Sequence, residues 1–228
     1  MILYSKLIRL ILLSFVFFTA SVLAQHYADY DGQQSQLVLN SNLLKTNDIT
    51  LPVEGSGNVT LTVFYDYNCP SSRDLLKLLY NQDYAKTKNV KIVYRPMDYG
   101  FNSKDVLQAV LNAKNMSGNL FKQLNLEIIK IDSPIMLAHL QGIAQRQGLD
   151  FNKLINPSSA DLKKIQQEMD KNKQDFEALP LPSMFGQEYK NAVPVIILSN
   201  ANNDKKYIYF IGSDQYSLDT AIAAIGKA

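Results

Sequence analysis

The chain has 228 residues, with 23 Lys and Arg against 21 Asp and Glu, one cysteine and no tryptophan. A formal charge of +2 carries no electrostatic footprint for nucleic acid, and a lone cysteine excludes an internal disulfide. The two histidines, His26 and His139, share no pattern with each other or with the cysteine, so both are read as structural, and neither a metal set nor another cofactor is expected.

At the start, Lys6 and Arg9 precede an almost unbroken apolar run, Leu10 to Phe18, and Val22-Leu23-Ala24 offers small residues at a cleavage point. Residues 1–24 therefore read as a secretory signal peptide. The run is short of the roughly 20 residues a membrane span requires, so no membrane attachment is expected after signal cleavage; an uncleaved anchor is the alternative. Because Lys6 and Arg9 account for the whole basic excess, the remaining chain is close to neutral.

Residues 25–50 are polar and weakly patterned, an N-terminal arm with a short helix expected through Gln36–Leu44. Pro52 and the turn Gly55-Ser56-Gly57-Asn58 close it. Val59–Tyr65, rich in β-branched and aromatic residues, predicts a buried strand. It runs directly into Asp66-Tyr67-Asn68-Cys69-Pro70. Proline suits a first helical position, and Ser71–Tyr80 continues as an amphipathic helix. Val90–Tyr94 is a second strand, ended by Arg95-Pro96; strand, helix, strand implies a βαβ unit. Helical spacing then recurs over Ser103–Asn115, Leu120–Ile131, Pro134–Gln147 and Ala160–Ala178. Strands resume at Pro194–Leu198 and Tyr207–Ile211, joined as a hairpin by Ala201-Asn202-Asn203-Asp204. A last helix spans Ser217–Ile225.

The segment Val59 to Pro70, with its aromatic-Asp-Tyr turn before Cys69, closely resembles the active-site region of DsbA-like thiol–disulfide oxidoreductases. Tyr94-Arg95-Pro96 resembles the exit of that family's second strand. Ala192-Val193-Pro194-Val195 resembles its cis-proline loop, and Gly142-Ile143-Ala144 with Gly148-Leu149-Asp150 a weaker pattern of its helical domain. The resemblance covers roughly residues 50–227 and implies an α/β chain with a thioredoxin-like fold and an inserted all-helical subdomain. The thioredoxin-like part is expected at 51–100 and 180–228, the insertion at 101–179, and the location is periplasmic. It further implies Cys69, Ser72 and Pro194 as catalytic positions, with Pro70, Ser71 and Val193 as the substrate-binding surface.

Three departures qualify this. The second cysteine of the family's Cys-x-x-Cys is Ser72 here, the buried carboxylate six residues before the first cysteine is Val63, and the stretch Leu179–Asn191 is longer than usual. In a Cys-x-x-Cys site the second thiol breaks the mixed disulfide made by the first, and Ser72 has no thiol to do so. A helix start favours a thiolate at Cys69, with Arg73 one turn on, and the turn position predicts an accessible thiol; an inert buried thiol is the alternative. Ser72, three residues along, faces the same side, where its hydroxyl is within reach of the thiolate, or it is an ordinary helix residue. Asp66 reads as a turn or capping residue.

Two functions are consistent with these residues. One is monothiol disulfide exchange, isomerase- or reductase-like, on exported protein or peptide thiols or with a small thiol. The other is a redox-inactive peptide-binding module with chaperone character. A Cys69–Cys69 homodimer is a third reading.

Overall fold

The structure is a computed structural model that describes residues 33–37, 44, 51–99, 103–180, 183–184, 187–188 and 193–227. The signal peptide expected at 1–24, His26 and Ala192 lie outside the described residues.

The described strands are β1 (Gln33–Leu37), β2 (Val53–Glu54), β3 (Val59–Tyr65), β4 (Val90–Pro96), β5 (Ser183–Met184), β6 (Gln187–Glu188), β7 (Val195–Asn200) and β8 (Asn203–Ile211); β5 and β6 pair with each other, and the centre is a six-stranded sheet in the order β1-β8-β7-β3-β4-β2. Its middle strand, β3 (Val59–Tyr65), coincides with the strand expected from composition. It pairs in parallel with β4 (Val90–Pro96), with Val59 opposite Val90 and Tyr65 opposite Pro96. On its other side it pairs antiparallel with β7 (Val195–Asn200). β7 turns back into β8 (Asn203–Ile211). The expected hairpin is present, and Asn200 shapes its turn by accepting a hydrogen bond from the Asn202 N–H at 2.9 Å.

Alternation along these strands sorts the core into two faces. Leu61, Val63 and Tyr65 of β3, with Ile196 and Leu198 of β7, pack against α1 (Pro70–Asn81) and α8 (Gln215–Gly226). Phe64, Val195 and Ile197 point the opposite way, into a second cluster with Cys69, Met97, Phe176, Leu179 and Val193.

Between β4 and β7 lies the helical insertion. It consists of α3 (Lys104–Met116), α4 (Gly118–Ile128), α5 (Leu137–Gln147), α6 (Phe151–Ile155) and α7 (Ser159–Glu177); a four-residue helix, α2 (Tyr84–Thr87), precedes β4. Four of the five inserted helices follow the expected segments. The short α6, not foreseen, is started by Asp150, whose side chain accepts from the Lys153 N–H. α5 begins at Leu137 instead of Pro134, because Ile135 is held in an extended segment by Asn68.

The N-terminal arm is a correction. Gln36 and Leu37 belong to a strand, β1 (Gln33–Leu37), paired antiparallel with β8, Gln36 opposite Ile208. A free sheet edge offers unpaired backbone groups to any extended segment, and that tertiary gain outweighs the weak helical preference of a polar sequence. The rest of the expected helix, apart from Leu44, lies outside the described residues. At the opposite edge the two-residue β2 (Val53–Glu54) pairs antiparallel with β4.

The turn before β3 depends on glycine. Gly55 has φ +72°, and a Cβ built on Gly57 would stand 1.6 Å from the Asn89 carbonyl oxygen. Backbone, not a movable side chain, is the obstacle. Gly57→Ala is therefore expected to cost about 1–3 kcal/mol, read from the shift of a urea midpoint.

Candidate thiol site

Cys69 stands at the junction of β3 and α1. It is the N-cap residue of α1, in extended conformation (φ −74°, ψ 122°), and Pro70 opens the helix behind it. Its own N–H donates to the Asp66 carbonyl at 3.1 Å, and the Arg73 N–H donates to the Cys69 carbonyl at 3.1 Å. The chain thus leaves the strand, makes one tight turn and starts a helix with the sulfur at the corner. Proline at the first helical position loses nothing by lacking an N–H there.

Asp66 builds that turn. Its Oδ1 accepts from the Asn68 N–H at 2.9 Å, and its Oδ2 from the Tyr99 N–H at 2.7 Å. Burial pushes its carboxyl above the ordinary carboxylate range, partly offset by these donors. With both oxygens occupied, Asp66 is the turn residue that the sequence suggests.

The sulfur itself is less open than expected. Cys69 is only 6% exposed, and its Sγ–H donates to the carbonyl oxygen of Val193 at 3.2 Å. The expectation of an accessible thiol is corrected by this loop, which lies 124 positions along the chain and leaves no local trace near Cys69. Val193 precedes Pro194 through a cis peptide bond, the conformation expected for that loop. Of the other surface residues proposed for the site, Pro70 is exposed and Ser71 half-buried, while Val193 and Pro194 are buried.

Of the two readings of Ser72, the structure matches the ordinary helix residue. It is fully buried, and its Oγ accepts a long hydrogen bond, 3.4 Å, from the Asp66 N–H. It heads the buried stripe Ser72, Leu75, Leu76 and Leu79 that seats α1 on the sheet. Spacing of three residues places it on the side of Cys69, but the hydroxyl is engaged by backbone, and among the described residues no hydrogen bond joins it to the sulfur. The expected role of Arg73 is corrected. Its Nη1 donates to the carbonyls of Tyr67 (3.4 Å) and Asn68 (3.5 Å), and its Nη2 to that of Asp132 (3.4 Å), so its bonds go to main chain and not to the thiol. Val63, six residues before Cys69, is fully buried on the same sheet face as α1.

Two groups that the sequence did not single out border the site. Asn68, next to Cys69, pairs with the backbone of Ile135: its Nδ2 donates to the carbonyl at 3.3 Å and its Oδ1 accepts from the N–H at 2.6 Å. Arg95, at the end of β4, is fully buried. Its guanidinium lies 4.9 Å from the ring centre of Phe64, a neighbour of Cys69 in the same cluster. It pairs with Asp175 of α7 and donates to Asn172 Oδ1 at 2.9 Å. A polar residue beside the cysteine and an arginine inside a strand were the available signals, but neither indicates a partner.

His139 serves as a local cap: its Nδ1 accepts from the Met136 N–H at 3.1 Å at the start of α5. Among the described residues no group of three His, Cys, Asp or Glu side chains could hold a metal ion, and no helix is long and apolar enough to cross a membrane.

No protein-family model matches the sequence, and no curated protein does. Solved structures match over most of the chain. A thioredoxin-like oxidoreductase from Silicibacter pomeroyi DSS-3 aligns with a TM-score of 0.62 at 22% identity, covering 83% of this chain and 99% of its own. The catalytic domain of Proteus mirabilis ScsC aligns at 0.58 and 18% identity, covering 82% and 94%. The thiol-disulfide exchange protein alpha-DsbA2 from Wolbachia pipientis aligns at 0.56 and 18% identity, covering 78% and 88%. With its strand–helix–strand unit, central helical insertion and terminal hairpin and helix, the chain has the thioredoxin-like fold with an inserted helical subdomain, of the DsbA-like kind.

Proposed function

We propose that this chain is an exported thiol–disulfide exchange protein that works with one cysteine. The observation that carries the reading is the placement of Cys69: the sulfur caps the start of α1 and lies 3.2 Å from the carbonyl before the cis Pro194. The sulfur stands at the corner between strand and helix, against the carbonyl of the cis-proline loop, where a partner disulfide meets both. The neighbours of the same fold include a thiol-disulfide exchange protein and a periplasmic thioredoxin-like protein from Salmonella enterica serovar Typhimurium, which supports exchange chemistry in the periplasm.

In the proposed step the Cys69 thiolate attacks one sulfur of a partner disulfide. A Cys69–partner disulfide forms, and the other sulfur leaves as a thiolate that takes up a proton from solvent. Since Ser72 carries no thiol, either a second thiol of the partner attacks the partner sulfur of that mixed disulfide, forming a rearranged partner disulfide and returning Cys69, or two small thiols such as glutathione act in turn: one attacks the Cys69 sulfur and frees the partner thiol, the next attacks the Cys69–glutathione disulfide, giving oxidised glutathione and returning Cys69. The outcome is isomerisation, or reduction at the expense of the small thiol. The test is mass spectrometry of the purified protein with a disulfide-bonded peptide: a mixed disulfide on Cys69, absent in Cys69→Ala and released by glutathione, is the expected result. Its absence from the folded protein sinks the reading.

A prediction follows for the opposite direction. Oxidation of a reduced dithiol peptide, with no small thiol added, is expected to show no catalytic turnover. Several equivalents of peptide disulfide per equivalent of protein, in excess of a no-protein control, would contradict it.

The 6% exposure of Cys69 favours a second reading, a redox-inactive module that binds peptides. It also weighs against a Cys69–Cys69 dimer, since both sulfurs would have to leave their clusters. Peptide binding unchanged in Cys69→Ala, with no mixed disulfide, would select the binding module.

A further inference from the structure

The thiol is buried, yet the turn that carries it is fastened at two points to the segment between α4 and α5 of the insertion. Asn68 precedes Cys69, and its carboxamide makes the two-way pair with Ile135 that a neighbouring strand would make. Arg73 lies one turn into α1 and gathers three carbonyls, two from the turn itself (Tyr67, Asn68) and one from Asp132. Asp132 and Ile135 belong to the single non-helical segment between α4 and α5. Asn68 and Arg73 are themselves buried, at 9% and 7% exposure, so the bonds to Ile135 are shielded from competing water, while that to Asp132 is part-buried. Asp66 binds the turn to Asn68 and Tyr99, and Tyr67, the residue before Asn68, donates its hydroxyl to Asn125 Oδ1 of α4 at 2.9 Å. One segment of the insertion therefore grips the peptide immediately before the cysteine.

We infer that Asn68 and Arg73 are positioning residues through which the 132–135 segment holds Cys69 against Val193, and that moving this segment releases the thiol. The device gives the inserted subdomain a role at the sulfur without touching it. The latch supplies what a buried thiol in an exchange protein lacks, a route to exposure without unfolding the sheet; to that extent it rests on the function proposed above.

The test compares three variants in full-length protein from which the leader has been removed. Asn68→Ala deletes the pair with Ile135. Arg73→Lys keeps the charge but loses the planar fork that spans the three carbonyls. Asn112→Ala is the control: Asn112 is equally a buried asparagine, 3% exposed, donating to the Lys153 and Leu154 carbonyls at 2.9 and 2.8 Å inside the insertion, away from the turn. The rate of Cys69 alkylation by iodoacetamide is measured against pH at a temperature where all are folded, alongside Tm. Losing the latch is expected to raise the alkylation rate about tenfold for Asn68→Ala across the pH range, with a smaller rise for Arg73→Lys. Asn112→Ala is expected to lower Tm without changing the rate. Alkylation of Asn68→Ala no faster than wild type, or rates in all three variants that simply track Tm, overturns the inference. If Asn68→Ala does not fold, Arg73→Lys decides by the same criteria. Alkylation reports release of the thiol whether or not it exchanges disulfides, so a normal latch with no mixed disulfide would sink only the exchange function.

Discussion

Ser72→Cys is expected to convert a protein with no dithiol turnover into a slow oxidase. Residues three apart at a helix start have Cβ atoms about 5–6 Å apart, against roughly 3.5–4.5 Å in a disulfide. Closing that gap requires the Cys69 side chain to turn away from the Val193 carbonyl toward position 72. The new thiol is buried, since position 72 has no exposure and heads the stripe that seats α1. A buried thiol has no solvent to take its proton, and Val63, on the sheet face that α1 covers, offers no carboxylate in its place. Adding Val63→Glu is therefore expected to raise the turnover of Ser72→Cys by about a hundredfold, at the low end of what a positioned proton carrier supplies. It is also expected to lower stability by on the order of a few kcal/mol, because the carboxyl is buried without a designed partner. Turnover is read by oxidation of a reduced peptide with oxidised glutathione as terminal acceptor, and the internal disulfide by loss of both thiols to a mass tag. Equal turnover in the single and double variants would mean that position 63 does not serve residue 72. A Ser72→Cys protein that keeps both thiols free under glutathione would mean that the corner is too rigid to close.

Much of this geometry follows from local signals. β3 is legible because Val59–Tyr65 concentrates β-branched and aromatic residues between a glycine turn and an Asp-led turn, and the structure begins and ends the strand at those residues. α1 is legible from Pro70 and the leucine spacing. What escaped has no local trace. β1 is a polar segment made a strand only by the free edge of β8. The burial of Cys69 comes from Val193, and the hold on its turn from Ile135, 67 positions beyond Asn68. Ser72 is the instructive case. Its place on the side of Cys69 follows from spacing, and its depth was readable from the same spacing, since Leu75, Leu76 and Leu79 continue the stripe that it begins.

The largest loss of stability is expected from Asp175→Ala, at the joint between the sheet and the insertion. Arg95 sits at the end of β4 with no exposed surface, and Asp175 on α7 is 5% exposed. Asp175 takes the guanidinium through Arg95 Nη2 and also pairs with Lys171. Asn172 reinforces the joint, accepting from Arg95 Nε through Oδ1 and donating to the Pro96 carbonyl through Nδ2, both at 2.9 Å. Burial lowers the tendency of Arg95 to hold its proton, and the bond to Asp175 works against that shift. Removing the carboxylate leaves a guanidinium in the interior with Asn172, the Phe64 ring and the charge of Glu168, itself already paired with Lys114, as its remaining partners, while its Nη1 has no hydrogen-bond partner even in the intact protein. An uncompensated buried charge of this kind costs about 3–5 kcal/mol, which approaches the whole stability of a domain near the low end of the usual 5–15 kcal/mol. The exposed pair Lys77–Asp132 supplies the contrast, with 34% and 92% of the two side chains open to solvent. Asp132→Ala is expected to cost roughly 0–1 kcal/mol, and it leaves the Asp132 carbonyl in place for Arg73. Urea unfolding of the two variants decides the matter: the pair at Arg95 holds the insertion onto the sheet only if Asp175→Ala loses several times what Asp132→Ala loses. If the two losses are equal, the insertion is held by its other contacts, with Phe176 against Phe64 at 5.7 Å between ring centres the first candidate among the apolar ones.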